Sequence, residues 1–122
     1  MKANAPCIAV LDDEADLRRA LARLLGLHGY AVELFADGES FLAANRRSPS
    51  DCAVVDLQMR EMRGFAVLER LATPEYHRVP VIIVTGSDRP GYRERAKALG
   101  VRAYLTKPVD EESLVNAIRA CL

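Results

Sequence analysis

The chain has 122 residues, half of them hydrophobic and 28% charged, enough for one compact domain with its own core. Seventeen Lys plus Arg balance seventeen Asp plus Glu, so no global charge draws the protein to nucleic acid or to a membrane surface. No apolar run approaches the roughly 18 residues of a membrane span, and the start, MKANAPC, lacks the apolar stretch of a secretory signal, so a soluble cytoplasmic domain is expected.

CIAVL (7–11), short, apolar and partly β-branched, predicts a first strand. Leu17, Ala20, Leu21, Leu24 and Leu25 follow at helical spacing, and Gly29 is placed to stop that helix. AVELF (31–35) predicts the second strand, and Phe41 with Leu42 marks the second helix. CAVV (52–55) is the third strand, followed by a helix carrying Phe65, Leu68 and Leu71. VPVIIV (79–84) and RAYL (102–105) predict the last two strands. The helix between them carries Ala96 and Leu99 and stops at Gly100, while the final helix carries Leu114, Ala117, Ile118 and Cys121. Asp110 stands just before EESL, where an N-cap belongs. The cysteines, Cys7, Cys52 and Cys121, are odd in number and set among apolar neighbours, which fits reduced, buried thiols and not a disulfide framework.

Strict alternation of strand and helix predicts an α/β fold, a doubly wound five-stranded parallel sheet covered on both faces. No repeat, low-complexity tract or linker interrupts it, so residues 1–122 read as a single domain. Ligands bind such sheets beyond the carboxyl ends of the strands. There the sequence places Asp12 and Asp13 after the first strand, Asp56 after the third, Thr85 after the fourth, and Thr106, Lys107 and Pro108 after the fifth. Each has an ordinary reading when taken singly: Asp12 or Asp13 as a helix N-cap, Asp56 and Thr85 as turn residues, Lys107 as a solvated charge. Together they end successive strands of one sheet, and that coincidence carries the inference.

Three crowded carboxylates repel, and Lys107 cancels one charge of three; a divalent cation removes the excess. Without Cys or His nearby, the donors favour Mg²⁺ or Mn²⁺. A metal, a lysine and a threonine hydroxyl around one carboxylate suit phosphoryl transfer, with Asp56 as the candidate nucleophile.

LDDE (11–14), VVDLQM (54–59), VTG (84–86) and TKP (106–108), in this order and spacing, resemble the receiver domain of two-component response regulators over almost the whole chain. The stretches RRALARLLGLHGYAVELFADGESFL and VPVIIVTGSD further resemble receivers of the FixJ type. The resemblance implies a flavodoxin-like sheet of strand order 2-1-3-4-5, and a phosphoryl group accepted by Asp56 from a histidine kinase or phosphotransfer protein. Asp12, Asp13, Asp56 and the Gln58 backbone carbonyl would hold the metal. Lys107 and Thr85 would meet the phosphoryl oxygens, Tyr104 would be the switch aromatic, and the Lys107–Pro108 bond would be cis. The helix 4, strand 5, helix 5 face would address an output domain or effector, or form a phosphorylation-dependent homodimer. Direct nucleic-acid binding by this domain is not implied. RPGYRERAKALG (89–100), with four Arg or Lys beside Tyr92, adjoins that face.

Arg60 departs from the proline usual after the Met of the phosphorylation loop, and is expected to free that loop and to bring a cation near the site. Gly64 is expected to serve through its torsional freedom. Gln58 and Ser87 occupy places where the family tunes dephosphorylation, and Gly86 leaves the aspartate open to attack. His28, at a helix end, and His77, in a loop, are expected outside the site. Among other functions, an aspartate-nucleophile phosphatase would need a general acid where Gln58 stands. A mononucleotide carrier would need a phosphate loop where DDEAD would repel one. A constitutive interaction-only receiver has Arg60 in its favour and the intact Asp56, Thr85 and Lys107 against it. The chain ends at RACL with no output domain, a length that fits both a stand-alone receiver and part of a longer regulator.

Overall fold

Successive residues of a β-strand point to opposite faces, so a strand buried on both sides must be apolar at every position. The inner strands meet that demand in the computed structural model, which describes residues 5–59 and 62–122. Ile8, Val10, Val54, Ile82 and Val84 face one layer, together with Leu21, Leu25, Leu114 and Ile118. Ala9, Leu11, Ala53, Val55 and Ile83 face the other, with Phe41, Phe65, Leu68 and Ala96. The sheet is thus filled between two helix layers, and each fully buried Leu, Ile or Val contributes about 1.5–3 kcal/mol.

The elements run β1 (Cys7–Leu11), α1 (Ala15–Leu27), β2 (Ala31–Phe35), α2 (Gly38–Arg47), β3 (Cys52–Val55), α3 (Gly64–Leu71), β4 (Val81–Thr85), α4 (Tyr92–Ala98), β5 (Ala103–Thr106) and α5 (Glu111–Cys121). All strands are parallel, in the order β2-β1-β3-β4-β5. Helices α1 and α5 cover one face, and α2, α3 and α4 the other. The switch point lies at β1, flanked by β2 and β3, so its carboxyl end opens the crevice. None of the described helices is long and apolar enough to cross a membrane.

Several boundaries differ from those the sequence predicts. β4 begins at Val81 and not at Val79, because Pro80 has no N–H to contribute to a ladder. β4 and β5 each run one residue further, and their register pairs Thr85 with Thr106. β2 is an edge strand and only half-covered, with Leu34 exposed. Gly29 and Gly100 stop their helices at φ 90° and 82°. Asp110 accepts from the Ser113 N–H at 2.9 Å. Asp37 caps α2 through the Ser40 N–H at 2.8 Å, an Asp-x-x-Ser signal that periodicity alone passes over. Asn45, buried on α2, fastens the loop after α3 by exchanging two hydrogen bonds with the His77 backbone, at 2.9 and 3.1 Å.

The cysteines are only partly as expected: Cys52 is buried, whereas Cys7 and Cys121 are half-buried. Burial and the neighbouring Cys121 thiol push Cys52 up to about 12. Burial and the Glu33 carboxylate push Cys7 up to about 11. Neither thiol is poised as a nucleophile.

Gly64 also serves differently from the expectation. It is not among the positive-φ glycines; space is what it supplies. A Cβ there would lie 2.6 Å from the Asp56 carbonyl oxygen and 2.8 Å from the Leu57 Cα, both backbone atoms that have no rotamer to yield.

Two outcomes follow. Gly64→Ala should cost about 1–3 kcal/mol in urea denaturation, the range of an overpacked core site. The Ser113 N–H holds the Asp110 carboxyl below the usual carboxylate range, so its charge contributes stability above that range and loses it as pH falls through the lowered value. Asp110→Asn keeps the cap geometry without the charge; its Tm deficit at neutral pH should shrink toward zero in acid, and a deficit independent of pH would contradict this.

Candidate functional site

The parallel register brings the polar residues together. Leu11 and Val55 are partners in the β1–β3 ladder, so the residues that follow them, Asp12 and Asp56, leave the sheet side by side. The Asp56 N–H still donates to the Leu11 carbonyl at 3.0 Å, and the Asp12 N–H to the Phe35 carbonyl at 3.1 Å. Both side chains are buried, at 3% and 4% exposure. One carboxylate oxygen from each of Asp12, Asp13 and Asp56 lies within 4.8 Å of the others.

Lys107 reaches this cluster from the end of β5. Its backbone N–H donates to the Thr85 carbonyl at 2.8 Å, and the Lys107–Pro108 peptide bond is cis. The ammonium Nζ lies 3.2 Å from Asp12 Oδ2, 3.3 Å from Asp56 Oδ2 and 3.7 Å from Glu14 Oε1. The other Asp56 oxygen, Oδ1, accepts from the Gln58 N–H at 3.1 Å. Thr85 is fully buried, and its Oγ1 accepts from the Ser87 N–H at 3.1 Å.

The electrostatics follow from this packing. Burial pushes the Asp56 carboxyl up, against the opposing pull of the Gln58 N–H and the Lys107 ammonium. Burial works to lower Lys107, but the Asp56 and Asp12 carboxylates outweigh it and hold the ammonium above its ordinary value. Lys107 therefore stays charged. Among the described residues, the Asp12, Asp13 and Asp56 carboxylates gather hard oxygen donors in one place, a set that fits a hard divalent cation.

On the outer side of β5, half-buried Tyr104 donates its hydroxyl to Asp88 Oδ1 at 3.0 Å. The Arg93 guanidinium lies over its ring at 4.6 Å and pairs with Asp88 at 3.3 Å. Burial and the bond to Asp88 push the Tyr104 hydroxyl up to about 12.

Asp12, Asp13, Asp56 and Lys107 thus meet, with Gln58 bonded to the cluster, and Thr85 is tied to Lys107 through the backbone. Tyr104 belongs to the opposite side of β5. Asp12 is not the N-cap of α1: Glu14 occupies that position without a side-chain cap, and Asp12 Oδ1 accepts from the Glu14 N–H at 2.9 Å. Neither histidine joins the cluster; His28 pairs with Glu111 at 3.1 Å across the α1–α5 face. Arg60 lies outside the described residues. Sequence reasoning missed Glu14, Arg18 and Asp88. Arg18 donates to the Asp12 carbonyl at 2.7 Å, a contact six residues apart that an arginine on a helix gives no sign of. Asp88 meets Tyr104 across sixteen positions, and no local spacing encodes that contact.

Comparison with known proteins agrees with the geometry. Residues 8–119 match the model of the response regulator receiver domain. The chain is 35% identical to the protein PilH of Pseudomonas aeruginosa over 116 residues, 94% of this chain and 96% of PilH. It is 34% identical over its whole length to the response regulator protein TodT of Pseudomonas putida, of which it spans 53%. Among solved structures, full-length FixJ from B. japonicum superposes with a TM-score of 0.82 at 31% identity, over 98% of this chain and 58% of FixJ. A strand order of 2-1-3-4-5, an acid cluster beyond β1 and β3 with a lysine from β5, and a family match across nearly every element have one common explanation: the chain belongs to the response regulator receiver domains of two-component signalling.

Proposed function

We propose that Asp56 is the phosphoacceptor of this receiver. The observation that carries the reading is a buried carboxylate at the tip of β3 with the Lys107 ammonium at 3.3 Å and two more carboxylates within 4.8 Å. Phosphorylation-dependent switching is the function of the family.

Asp12, Asp13, Asp56 and the Gln58 carbonyl would hold Mg²⁺ or Mn²⁺, which supplies charge neutralisation for the transferring phosphoryl group. The chain's own residues do the rest. Asp56 Oδ1 is fixed by the Gln58 N–H, which aims the carboxylate. An Asp56 oxygen forms the new bond to phosphorus as the bond to the donor breaks, and the electron pair departs with the donor's leaving group. Lys107, already on Asp56 and Asp12, shifts its ammonium to the phosphoryl oxygens without leaving the crevice.

A phosphoryl group of about −1.5 to −2 charge is a new acceptor for the Thr85 hydroxyl, which otherwise accepts from Ser87. Drawing Thr85 inward opens space behind it for Tyr104, whose ring would exchange its bond to Asp88 for a buried packing. The α4–β5–α5 face then differs between the two states, and it is the surface we assign to an output domain, an effector or a second phosphorylated copy. The donor is a histidine kinase or a phosphotransfer protein. We read residues 1–122 as one cytoplasmic receiver domain that undergoes its own phosphorylation and hydrolysis, without turnover of a free substrate and without direct contact to nucleic acid.

Incubation with a small phosphodonor and Mg²⁺ should add one phosphoryl mass to the wild-type protein, and beryllofluoride should shift the amide resonances of Thr85 and Tyr104. Asp56→Asn should show neither, and retained phosphorylation in that variant would refute the assignment. Lys107→Ala should slow phosphorylation by roughly a hundredfold, the scale of one lost transition-state donor. Stability should move the other way. The raised Asp56 carboxyl favours folding while protonated, and that contribution is lost as pH rises through its raised value. Without Mg²⁺ at neutral pH, Asp56→Asn should therefore raise the Tm in thermal unfolding; added Mg²⁺ should raise the Tm of the wild type more than that of the variant.

A further inference from the structure

A cleft of ≈ 410 Å³ adjoins the carboxylate cluster and shares Asp13 and Gln58 with it. Its apolar wall includes Met59, Phe65 and Tyr92, and its cations are Arg63 and Arg89. The wall is firmly built. Phe65 and Tyr92 pack edge to face at 5.2 Å, and the Arg95 guanidinium lies over the Phe65 ring at 4.3 Å while pairing with Glu69. Arg63 and Arg89 are different from Arg95: neither forms a salt bridge with a carboxylate among the described residues. Arg89 instead donates Nε to Ser87 Oγ at 3.4 Å, on the loop whose backbone N–H already holds Thr85.

Displacement at phosphorus is in line, with the leaving atom opposite the attacking oxygen. Lys107 occupies one side of the Asp56 carboxylate, so a leaving group needs room elsewhere, and the cleft that meets the site at Asp13 and Gln58 supplies it. Two guanidiniums with no salt-bridged carboxylate among the described residues outnumber the one carboxylate of the cleft, Asp13, and favour a departing anion. In an acyl phosphate the P–O bond breaks with its electron pair passing to a carboxylate, so negative charge grows on the departing group as the Asp56 O–P bond forms. Donors that release a neutral amine or imidazole develop no such charge. Interactions that strengthen as charge develops accelerate the step; those equal in ground and transition states do not.

We propose that Arg63 and Arg89 determine phosphodonor specificity, favouring acyl phosphates whose carboxylate leaves into this cleft. The inference rests on Asp56 being the phosphoacceptor, and goes beyond it by assigning two residues outside the cluster to the leaving group. Both arginines are exposed, so solvent screens them, and each contributes a factor of a few, not orders of magnitude.

The test measures phosphorylation rates at Asp56 with acetyl phosphate, which releases acetate, and with phosphoramidate, which releases ammonia, each in Mg²⁺. In the Arg63→Gln/Arg89→Gln double variant the acetyl phosphate-to-phosphoramidate rate ratio should fall about three- to tenfold. Arg63→Lys/Arg89→Lys should restore most of it, and the wild-type ratio should decline with added salt while that of the Gln variant stays flat. A ratio unchanged by the Gln substitutions, including an equal fall with both donors, would overturn the inference and leave Asp56 as the acceptor. No reaction of the wild-type protein with either donor would overturn the acceptor assignment itself.

Discussion

The crevice depends on one shared cation. Asp12 and Asp56 come off neighbouring strands with both side chains buried, and two carboxylates so close would repel strongly in a medium from which water is largely excluded. Lys107 bridges them at 3.2 and 3.3 Å, and its position is fixed by the backbone bond from its N–H to the Thr85 carbonyl. The acids are therefore tolerable only when β5 is docked beside β4. The cluster is thus completed across the length of the chain, with Asp12 paired to a lysine 95 positions away.

That dependence explains an otherwise costly arrangement. Lys107 is shared between Asp12 and Asp56, and burial still pushes the Asp56 carboxyl up. Under the proposed function, a bound cation would relieve that burial penalty, and an arriving phosphoryl group would draw the lysine toward itself. A carboxylate kept buried in this way costs stability that the proposed cation binding would recover.

Much of this was legible in the chain. Strands buried on both faces must be continuously apolar and helices covered on one face must be periodic, so the bounds of β1 and β3 are readable to the residue and their flanking helices by their apolar positions. The carboxyl-end rule then turned a list of strand ends into a site, and Asp12, Asp13, Asp56 and Lys107 do converge. The errors have physical sources. β4 slipped by two residues at its start because hydrophobicity does not register the missing N–H of Pro80. Sequence suggests a torsional role for Gly64, since it shows that a glycine is present but not which neighbour excludes a Cβ; the neighbour here is the Asp56 carbonyl, so the segment that carries Asp56 is pressed against the start of α3. The Asp88–Tyr104–Arg93 group could not be foreseen, because it joins a loop, a strand and a helix that only the completed fold brings within reach.

β5 is the last strand of the sheet, bonded to β4 along one side and to no strand along the other. Tyr104 and Lys107 both ride on it or at its end, one on the surface and one in the crevice. An interior strand would have to break ladders on both flanks in order to move, whereas a border strand gives up at most one. In the proposed switch, Lys107 at the end of β5 and Tyr104 on its face thus share the border of the sheet, where displacement is cheapest, while the link between them runs through Thr85 on neighbouring β4.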